Sequence, residues 1–121
     1  MNALAGKKII LGVTGSISAY KSLILLRLLT KAGAEVRIVM TDSAMDFVGP
    51  LSFSTLSGHQ VFSKLTDGQD WQNHVHLGLW ADLFLVAPVS AQSMAKFSIG
   101  MVDNLLTAVY LSAKCPVMIA P

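Results

Sequence analysis

Residues 9–16 read Ile-Ile-Leu-Gly-Val-Thr-Gly-Ser, an apolar run that stops at a glycine-containing turn. This pattern predicts a buried strand that ends in a tight loop. The leucine-rich stretch from Ser18 to Lys31 predicts a helix, with Gly33 as its stop. Glu35 to Met40 predicts a second strand because it is rich in β-branched residues. Strand, helix and strand in this order predict a right-handed βαβ unit.

The rest of the chain continues the alternation of helices and strands. The predicted elements are helices over 43–47, 50–56, 73–80, 91–97 and 103–112, an edge strand over 60–62, and core strands over 83–87 and 116–120. A long excursion separates the second core strand from the third, so we expect the third to lie on the other side of the first. The predicted fold class is α/β, a doubly wound parallel sheet with helices on both faces in three layers.

A reversal of strand order creates a crevice beyond the carboxyl ends of the strands, where ligands bind in this fold class. Three predicted loops meet there: Gly15-Ser16, Thr41-Asp42-Ser43 and Pro88-Val89-Ser90-Ala91. The first loop suits a phosphate, because its glycine permits close backbone approach and its serine lies at a helix N-terminus. A serine-capped tight turn explains this loop equally well. The hydroxyls of the second loop favour a mononucleotide-type ligand, and their alternative role is to cap the next helix.

The composition excludes several functional classes. The chain of 121 residues has 53% hydrophobic and 13% charged residues, which excludes a disordered tail. The net charge of +2 comes from 9 Lys+Arg against 7 Asp+Glu without a basic cluster, which argues against nucleic-acid binding. So few charges leave apolar surface that we expect to contact another subunit.

The sequence also indicates where the protein resides. Mean hydropathy is +0.58, but Arg27 interrupts one apolar stretch and Pro50 interrupts the longest uncharged one, so no membrane span is expected. The N-terminus lacks a signal-peptide pattern. The single Cys115 excludes an internal disulfide and fits a reducing compartment. We therefore predict a cytoplasmic protein.

The histidines are the titratable candidates. His59 lies in a polar connection and is interpreted as a surface residue. His74 and His76 are two residues apart, whereas a helical metal pair is four apart, and no Cys or acidic cluster completes a ligand set. No metal site is predicted. One of the two histidines is a candidate acid or base, since imidazole titrates near neutrality, and helix capping is the alternative.

Two further polar residues receive structural interpretations. Cys115 precedes a predicted strand at the end away from the crevice, which favours a packed small hydrophobe over a nucleophile. Asp103 is predicted to cap the helix that follows it. Ligand contact by Asp103-Asn104 is the alternative.

Six sequence blocks, in order along nearly the whole chain, resemble the flavin-containing cysteine decarboxylases. The blocks are Gly-Val-Thr-Gly-Ser-Ile-Ser-Ala-Tyr-Lys (12–21), Val-Met-Thr-Asp-Ser-Ala (39–44), Pro-Leu-Ser (50–52), His-Val-His-Leu-Gly-Leu-Trp-Ala-Asp (74–82), Ala-Pro-Val-Ser-Ala-Gln-Ser (87–93) and Gly-Met-Val-Asp-Asn-Leu-Leu-Thr (100–107). Each block alone is a weak signal, and six in family order are a strong one. Within the family, the chain is most similar to the phosphopantothenoylcysteine decarboxylases of coenzyme A biosynthesis.

The resemblance implies a flavodoxin-like domain that binds FMN near a subunit interface and assembles into homotrimers, or into dodecamers of four trimers. The implied cofactor-binding residues are Gly15, Ser16, Ile17, Thr41, Asp42, Ser43, Pro88, Ser90, Ala91, Gln92 and Ser93. The family's third loop often ends in Asn-Thr, which Gln92 and Ser93 replace with another amide and hydroxyl. His74 matches the catalytic histidine. Because His76 occupies an acidic position of the family, an exchange of roles between the two stays open.

The implied reaction is the decarboxylation of phosphopantothenoylcysteine to 4′-phosphopantetheine. FMN oxidises the cysteinyl thiol to a thioaldehyde, and the carboxylate β to the electron-poor carbon then leaves. The reduced flavin, with a protein acid, reduces the resulting enethiol. The resemblance assigns proton management in the oxidative half-reaction to His74.

Two elements of the family are missing from the sequence. A Pro-Ala-Met-Asn block that holds the substrate carboxylate would begin at Pro121, and a later flap carries a proton-donating cysteine that Cys115 does not match. We therefore expect one domain over 1–121, truncated at its C-terminal end, that binds FMN without completing the decarboxylation. A phosphopantothenoylcysteine synthetase domain is expected to follow in the full-length protein.

Three alternatives stay open at this point. The first is a peptide cysteine decarboxylase of lantibiotic maturation, which activity on phosphopantothenoylcysteine would distinguish. The second is a non-catalytic FMN-binding subunit, which would bind the flavin without turnover. The third is a structural α/β domain without a cofactor. A flavin prenyltransferase shares the fold, but the block around His74 argues against it.

Overall fold

Four parallel strands form the central sheet of the computed structural model, which describes residues 2–64 and 68–121. The strands are β1 (Lys8–Val13), β2 (Glu35–Met40), β3 (Leu83–Val86) and β4 (Val117–Ile119). Their order is β2-β1-β3-β4, and each neighbouring pair is parallel. The predicted fold class is confirmed, and so is the predicted place of the third strand beside the first.

Five α-helices in the described residues cover the two faces of this sheet. They are α1 (Lys21–Lys31), α2 (Pro50–Ser57), α3 (Gly68–Trp80), α4 (Ala91–Ile99) and α5 (Leu105–Ser112). Side chains alternate along β1, so Ile9 and Leu11 pack into a core with α1 and α2, whereas Ile10 packs into a core with α3, α4 and α5. Both faces of the sheet are thus covered along β1, β2 and β3, as is typical of parallel sheets, whereas the residues of β4 are exposed.

Three helices begin at residues other than those predicted, and one of them is α5, which starts at Leu105 and not at residue 103. The helix expected from Ser18 starts with a 3-10 turn over Ile17–Tyr20, and α1 follows at Lys21. The helix expected from residue 73 already begins at Gly68. Leucine periodicity marked the interior of α1, but it does not mark a first turn.

The prediction that Asp103 caps α5 is wrong. The N-cap is Asn104, whose extended backbone (φ −147°, ψ 172°) lets its side chain accept from the Thr107 N–H at 2.9 Å. The Thr107 hydroxyl in turn accepts from the Asn104 N–H at 3.3 Å, which completes a capping box. Asp103 instead forms an ion pair with Lys96 at 3.0 Å.

The predicted edge strand over 60–62 is reduced to a single bridge beside β2. The Phe62 N–H donates to the Ile38 carbonyl at 2.9 Å, and the Met40 N–H donates to the Phe62 carbonyl at 3.0 Å. The outer edge of β2 is therefore paired at this one residue.

The helices of the described chain are short by the standard of membrane spans. The longest is α3 with 13 residues, whereas a span needs about 20 apolar residues. Among residues 2–64 and 68–121, no helix combines the length and the apolar character needed to cross a bilayer.

Gly78 allows α3 to pack closely against α5. A Cβ at this position would lie 2.7 Å from the Ser112 backbone oxygen, which cannot rotate away. We therefore expect Gly78→Ala to lower the free energy of unfolding by about 1–3 kcal/mol, although alanine is the better helix former. Urea denaturation followed by circular dichroism measures the change.

Gly49→Ala is the matched control for this substitution. A Cβ at Gly49 meets no atom within 4 Å, so its effect should stay below about 0.5 kcal/mol. A Gly78→Ala variant as stable as the wild type would contradict the close approach of α3 to α5.

Candidate functional site

The side chain of Thr14 ties the carboxyl end of β1 to the loop after β3. Its hydroxyl donates to the Pro88 carbonyl at 2.8 Å and accepts from the Ser90 N–H at 2.8 Å. The Thr14 N–H donates to the same carbonyl at 3.2 Å. Thr14 is 1% exposed, so water does not compete for these bonds. The first and third predicted loops are therefore fixed to each other.

A second hydroxyl holds the same loop. Ser22, buried in the first turn of α1, donates to the Ala87 carbonyl at 2.9 Å. The peptide bond that follows, Ala87-Pro88, is cis. Two consecutive carbonyls of the third loop thus accept hydrogen bonds from side chains that follow β1, and the path of this loop is set by residues distant in the sequence.

Gly15 brings the second loop against the first. A Cβ at Gly15 would lie 2.6 Å from Ser43 Oγ and 2.8 Å from Ser43 Cβ, a separation that only glycine permits. The neighbour that occupies this space is Ser43 of the same chain, and the approach of a phosphate to Gly15 stays a prediction.

A polar crevice of about 240 Å³ lies where the second and third loops meet. Its lining residues carry hydroxyl, amide, carboxylate or ammonium groups; they are Thr41, Asp42, Ser43, Ser90, Gln92, Ser93, Lys96, Asp103 and Asn104. Six of the nine are predicted cofactor-binding residues. The structure therefore brings the second and third predicted loops together at the carboxyl edge of the sheet.

The hydroxyls of this crevice also close turns of their own backbone. Thr41 Oγ1 accepts from the Ala44 N–H at 3.2 Å and lies 3.2 Å from Ser43 Oγ. Ser90 caps α4, because its Oγ accepts from the Ser93 N–H at 3.2 Å. The sequence analysis gave capping as the alternative role of such hydroxyls, and these hydrogen bonds confirm it. They also fix the positions of the hydroxyls. A hydroxyl has two lone pairs and one proton, so a cap keeps further capacity for a ligand.

Lys96 is the only cation among the described residues that line the crevice. Its ammonium lies 3.0 Å from the Asp103 carboxylate, and its side chain is 16% exposed. The amino ends of α4 and α5 reach the same crevice, because Ser90 and Asn104 cap them. The two helix N-termini favour a ligand with hydroxyl or anionic groups, while the carboxylate of Asp103 neutralises Lys96 and that of Asp42 adds a negative charge.

The first predicted loop lies outside this crevice. Ser16 caps the 3-10 turn, since its Oγ accepts from the Ser18 N–H at 3.2 Å and lies 2.9 Å from Ser18 Oγ. Ile17 is 82% exposed. Ser18 borders a second cavity of about 340 Å³, lined by Ser18, Lys21, Ser22, Leu25, Ala87, Pro88, Ala120 and Pro121. Of the predicted cofactor-binding residues, Pro88 lines this second cavity, and Gly15, Ser16, Ile17 and Ala91 line neither.

The structure does not bring His74 to the crevice of its own chain. His74 is 8% exposed in α3, one turn before the core residue Leu77, and it lines neither cavity. His76 is exposed and lines neither cavity. His59 is partly exposed at the surface, with Nε2 3.8 Å from a Glu35 carboxylate oxygen. In the described part of the chain, no group of three His, Cys, Asp or Glu side chains is placed to hold a metal ion.

Cys115 packs at the margin of the core formed with α3, α4 and α5, which confirms its interpretation as a packed residue. Burial raises the pKa of its thiol above the ordinary cysteine value. The thiol is therefore less readily ionised than a free one and is a poor nucleophile.

Two residues of the site were not predicted, Thr14 and Lys96. The partners of Thr14 lie 74 and 76 residues away, so nothing local reveals its role. Lys96 could have been predicted from the helical period. It follows Gln92 by four positions and Ser93 by three, which places all three residues on one face of α4.

The sequence of the chain was compared with models of known protein families. The family model described as Flavoprotein matches residues 2–121. The chain belongs to the Flavoprotein family. Membership supports a flavin as the cofactor. The predicted relationship to this family is thereby confirmed.

Curated relatives of this Flavoprotein-family chain include the coenzyme A biosynthesis bifunctional protein CoaBC of Haemophilus influenzae. The two are 44% identical over 120 residues, which covers 98% of this chain and 30% of the relative. CoaBC of Escherichia coli is 42% identical over 121 residues, with the same coverage. The chain therefore spans about a third of the length of these relatives.

Solved structures of the Flavoprotein family superpose closely. The FMN-dependent cysteine decarboxylase SpaF has a TM-score of 0.87 and 35% identity, over 98% of this chain and 70% of that one. A PPC decarboxylase mutant complexed with pantothenoylaminoethenethiol has a TM-score of 0.82 and 30% identity, over 95% of this chain and 66% of that one.

Thr14→Val tests the contact between the first and third loops. Valine keeps the shape of threonine but leaves the Ser90 N–H without its partner and removes one donor from the Pro88 carbonyl. We expect the free energy of unfolding to fall by about 1–3 kcal/mol and flavin affinity to fall with it. Urea denaturation and flavin fluorescence titration measure the two effects. Thr14→Ser keeps the hydroxyl and should retain most of both, whereas equal losses in the two variants would count against the hydrogen bonds.

The raised pKa of Cys115 has a kinetic consequence. At pH 8 the folded protein holds less thiolate than an ordinary cysteine would, so alkylation by iodoacetamide should be slower than for glutathione. The rate should increase as the pH rises toward the raised pKa of the thiol. Mass spectrometry of timed samples measures the rate, with urea-unfolded protein as the control. Equal rates in folded and unfolded protein would contradict the effect of burial.

Proposed function

We propose that the chain is the FMN-dependent decarboxylase part of a longer coenzyme A biosynthesis protein, with phosphopantothenoylcysteine as its substrate. The observation that carries the proposal is the polar crevice between the second and third loops, positioned by Thr14 at the reversal of strand order. The 44% identity to CoaBC over 98% of the chain supports this substrate.

The residues of the crevice fit the ribityl phosphate portion of FMN. Hydroxyls and the amides of Gln92 and Asn104 match a polyol chain, and two helix N-termini suit a phosphate. Lys96 pairs with Asp103 in this structure and would have to exchange that partner to contact the phosphate. In the proposed holoprotein, Thr41, Asp42, Ser43, Ser90, Gln92 and Ser93 hold this portion, and Gly15, Ser16, Ile17, Pro88 and Ala91 are the remaining cofactor contacts. The crevice of about 240 Å³ is smaller than most ligand pockets (about 300–1,000 Å³), so the flavin ring needs additional surface.

FMN, when bound, supplies the electron acceptor for oxidation of the substrate thiol, which turns the neighbouring carboxylate into a leaving group. The residues of the chain hold the cofactor, orient the substrate and move protons. We assign the proton transfers to His74, because an imidazole has one nitrogen that can donate a proton and one that can accept it, and because the histidine block matches the family. His76, exposed on the same helix, is the alternative.

A homo-oligomer is part of the proposal. His74 lies outside the crevice of its own chain, and both helical layers expose large apolar residues such as Ile24 on α1 and Leu111 on α5. Trimers, or dodecamers of four trimers, would bury such surface beside the cofactor. We further propose a cytoplasmic location and a phosphopantothenoylcysteine synthetase domain in the full-length protein, which the greater length of the CoaBC relatives supports.

A peptide cysteine decarboxylase is the second candidate, because the chain also resembles SpaF, which is described as an FMN-dependent cysteine decarboxylase without a named substrate. SpaF superposes with a TM-score of 0.87, compared with 0.82 for the PPC decarboxylase mutant. The two candidates differ in substrate, a peptide C-terminus in one case and a phosphorylated small molecule in the other. Sequence identity favours the first candidate, since it is 44% with CoaBC and 35% with SpaF.

The deciding experiment uses the full-length protein. Its visible absorption spectrum is recorded beside its gel-filtration mass, and release of CO₂ is then measured with phosphopantothenoylcysteine and with a peptide ending in cysteine. We expect a flavin spectrum that survives gel filtration, a mass that is a multiple of a trimer, and CO₂ from the small substrate alone. Release from the peptide alone would establish the second candidate. A flavin spectrum without CO₂ from either substrate would indicate a non-catalytic subunit.

Substitution of the histidines separates their roles. In the full-length protein, His74→Asn should lower kcat by at least about 100-fold while the flavin spectrum stays unchanged, since general acid–base catalysis contributes about 10²–10⁴-fold. His76→Asn is the matched control and should change kcat by less than about threefold. The reverse pattern would assign the proton transfers to His76.

A further inference from the structure

The second cavity and the polar crevice both border the third loop, but they share no lining residue. Pro88 borders the second cavity of about 340 Å³, whereas Ser90, two positions later, borders the crevice. Ser18, in the turn after β1, and Ala120, which follows β4, border the second cavity as well. This cavity therefore lies at the carboxyl edge of the sheet, beside the candidate cofactor site. Its volume falls within the range of small-molecule pockets, about 300–1,000 Å³.

The second cavity carries a positive charge. Of the described residues that line it, Lys21 alone is charged. Lys21 is exposed in the first turn of α1, and it forms no ion pair within residues 2–64 and 68–121. The first 34 residues of the chain contain five Lys or Arg and no Asp or Glu, so this stretch supplies no carboxylate that competes for the ammonium. The cavity therefore favours an anionic ligand.

The polar crevice is less suited to a second anionic group. Asp42 and Asp103 line it together with Lys96, and Asp103 already pairs with this lysine at 3.0 Å. The proposed function also places the phosphate of the cofactor in the crevice. A further phosphate there would meet like charges, which weakens binding. Between the two cavities, an additional anionic group is therefore better placed beside Lys21.

The other lining residues of the second cavity combine a hydroxyl with apolar surface. Ser18 Oγ lies 2.9 Å from Ser16 Oγ, and either hydroxyl can be the donor. Ser16 can therefore donate to Ser18 and leave the Ser18 proton for an anion. Leu25, Ala87 and Pro88 add apolar surface. A ligand that carries an anionic group next to a hydrocarbon group matches this lining.

We propose that the second cavity binds the phosphate end of the substrate and that Lys21 recognises the phosphate. This inference rests on the proposed function and names the residue that distinguishes a phosphorylated substrate from a peptide. In phosphopantothenoylcysteine the phosphate is joined through one methylene group to a carbon that bears two methyl groups. These methyl groups suit the apolar surface of Leu25 and Pro88. The cysteinyl end of the substrate is left for the cofactor.

Substitution of Lys21 in the full-length protein tests the proposal. Lys21→Met keeps the aliphatic side chain but removes the charge, so Kd and KM for phosphopantothenoylcysteine should rise at least about tenfold, while kcat and the flavin spectrum stay unchanged. Calorimetry measures Kd, and release of CO₂ measures KM and kcat. Lys21→Arg keeps the charge and should bind more tightly than Lys21→Met. Lys31→Met, an exposed lysine of α1 outside the cavity, is the matched control and should leave both constants unchanged.

A substrate without the phosphate separates recognition from a structural effect. Pantothenoylcysteine should bind to the wild type at least about tenfold more weakly than its phosphorylated form. Lys21→Met should not weaken this binding further, because the interaction that it removes is already missing. A structural role of Lys21 would weaken the binding of both compounds alike. Circular dichroism confirms that each variant is folded.

The outcomes distinguish this proposal from the proposed function. Equal effects of Lys21→Met on the two compounds, or no effect on either, would overturn the phosphate site, because the cavity is then filled by another part of the full-length protein. Release of CO₂ in that case would leave the decarboxylase activity standing. Binding that depends on Lys21 and on the phosphate, without release of CO₂ by the wild type, would support the site and contradict the activity. No binding of phosphopantothenoylcysteine to the wild type would overturn both.

Discussion

The hydroxyl of Thr14 is the interaction on which the arrangement of the site depends. It joins the end of β1 to the loop after β3 through two bonds of 2.8 Å in a place that water does not reach. Parallel pairing brings the two strands side by side, but it does not determine where the loops beyond them run. Thr14 sets the start of α4, and the N-cap and first turn of α4 in turn supply three of the nine residues that line the crevice. A destabilising substitution elsewhere in the core would lower the free energy of unfolding. A substitution that removes the Thr14 hydroxyl would also displace the loops that form the site.

Structural and ligand-binding roles coincide in the hydroxyls around the crevice. Ser90 caps a helix and lines the crevice at once, and Thr41 closes a turn and lines it too. The sequence analysis treated helix capping and ligand binding as alternative roles for these hydroxyls. A capping hydrogen bond holds the hydroxyl in one position, however, and leaves it able to bind a ligand there. The same holds for Gly15, whose missing side chain admits Ser43 rather than leaving open space.

The strand order and the meeting of the second and third loops at the crevice could be predicted, because both follow from local patterns combined with general topology rules. The first loop, which was expected at the same crevice, lies outside it. Where a helix begins was harder to predict, as Gly68 and Asn104 show, because capping depends on a single residue's backbone angles. The contact of Thr14 with Pro88 and the pairing of Lys96 with Asp103 could not be read from spacing alone, since each is decided by how separate loops meet in space.

The long sequence separation of the Thr14 contacts makes the site a late product of folding. The crevice cannot exist in an isolated β1–α1–β2 unit, because the residues that complete it lie 74 to 76 positions downstream and must first be brought to the sheet. Closing so long a loop costs entropy that only the finished sheet repays. A chain that is still being synthesised on the ribosome would therefore be unable to bind its cofactor at this crevice. Flavin binding would then indicate that the sheet has been completed.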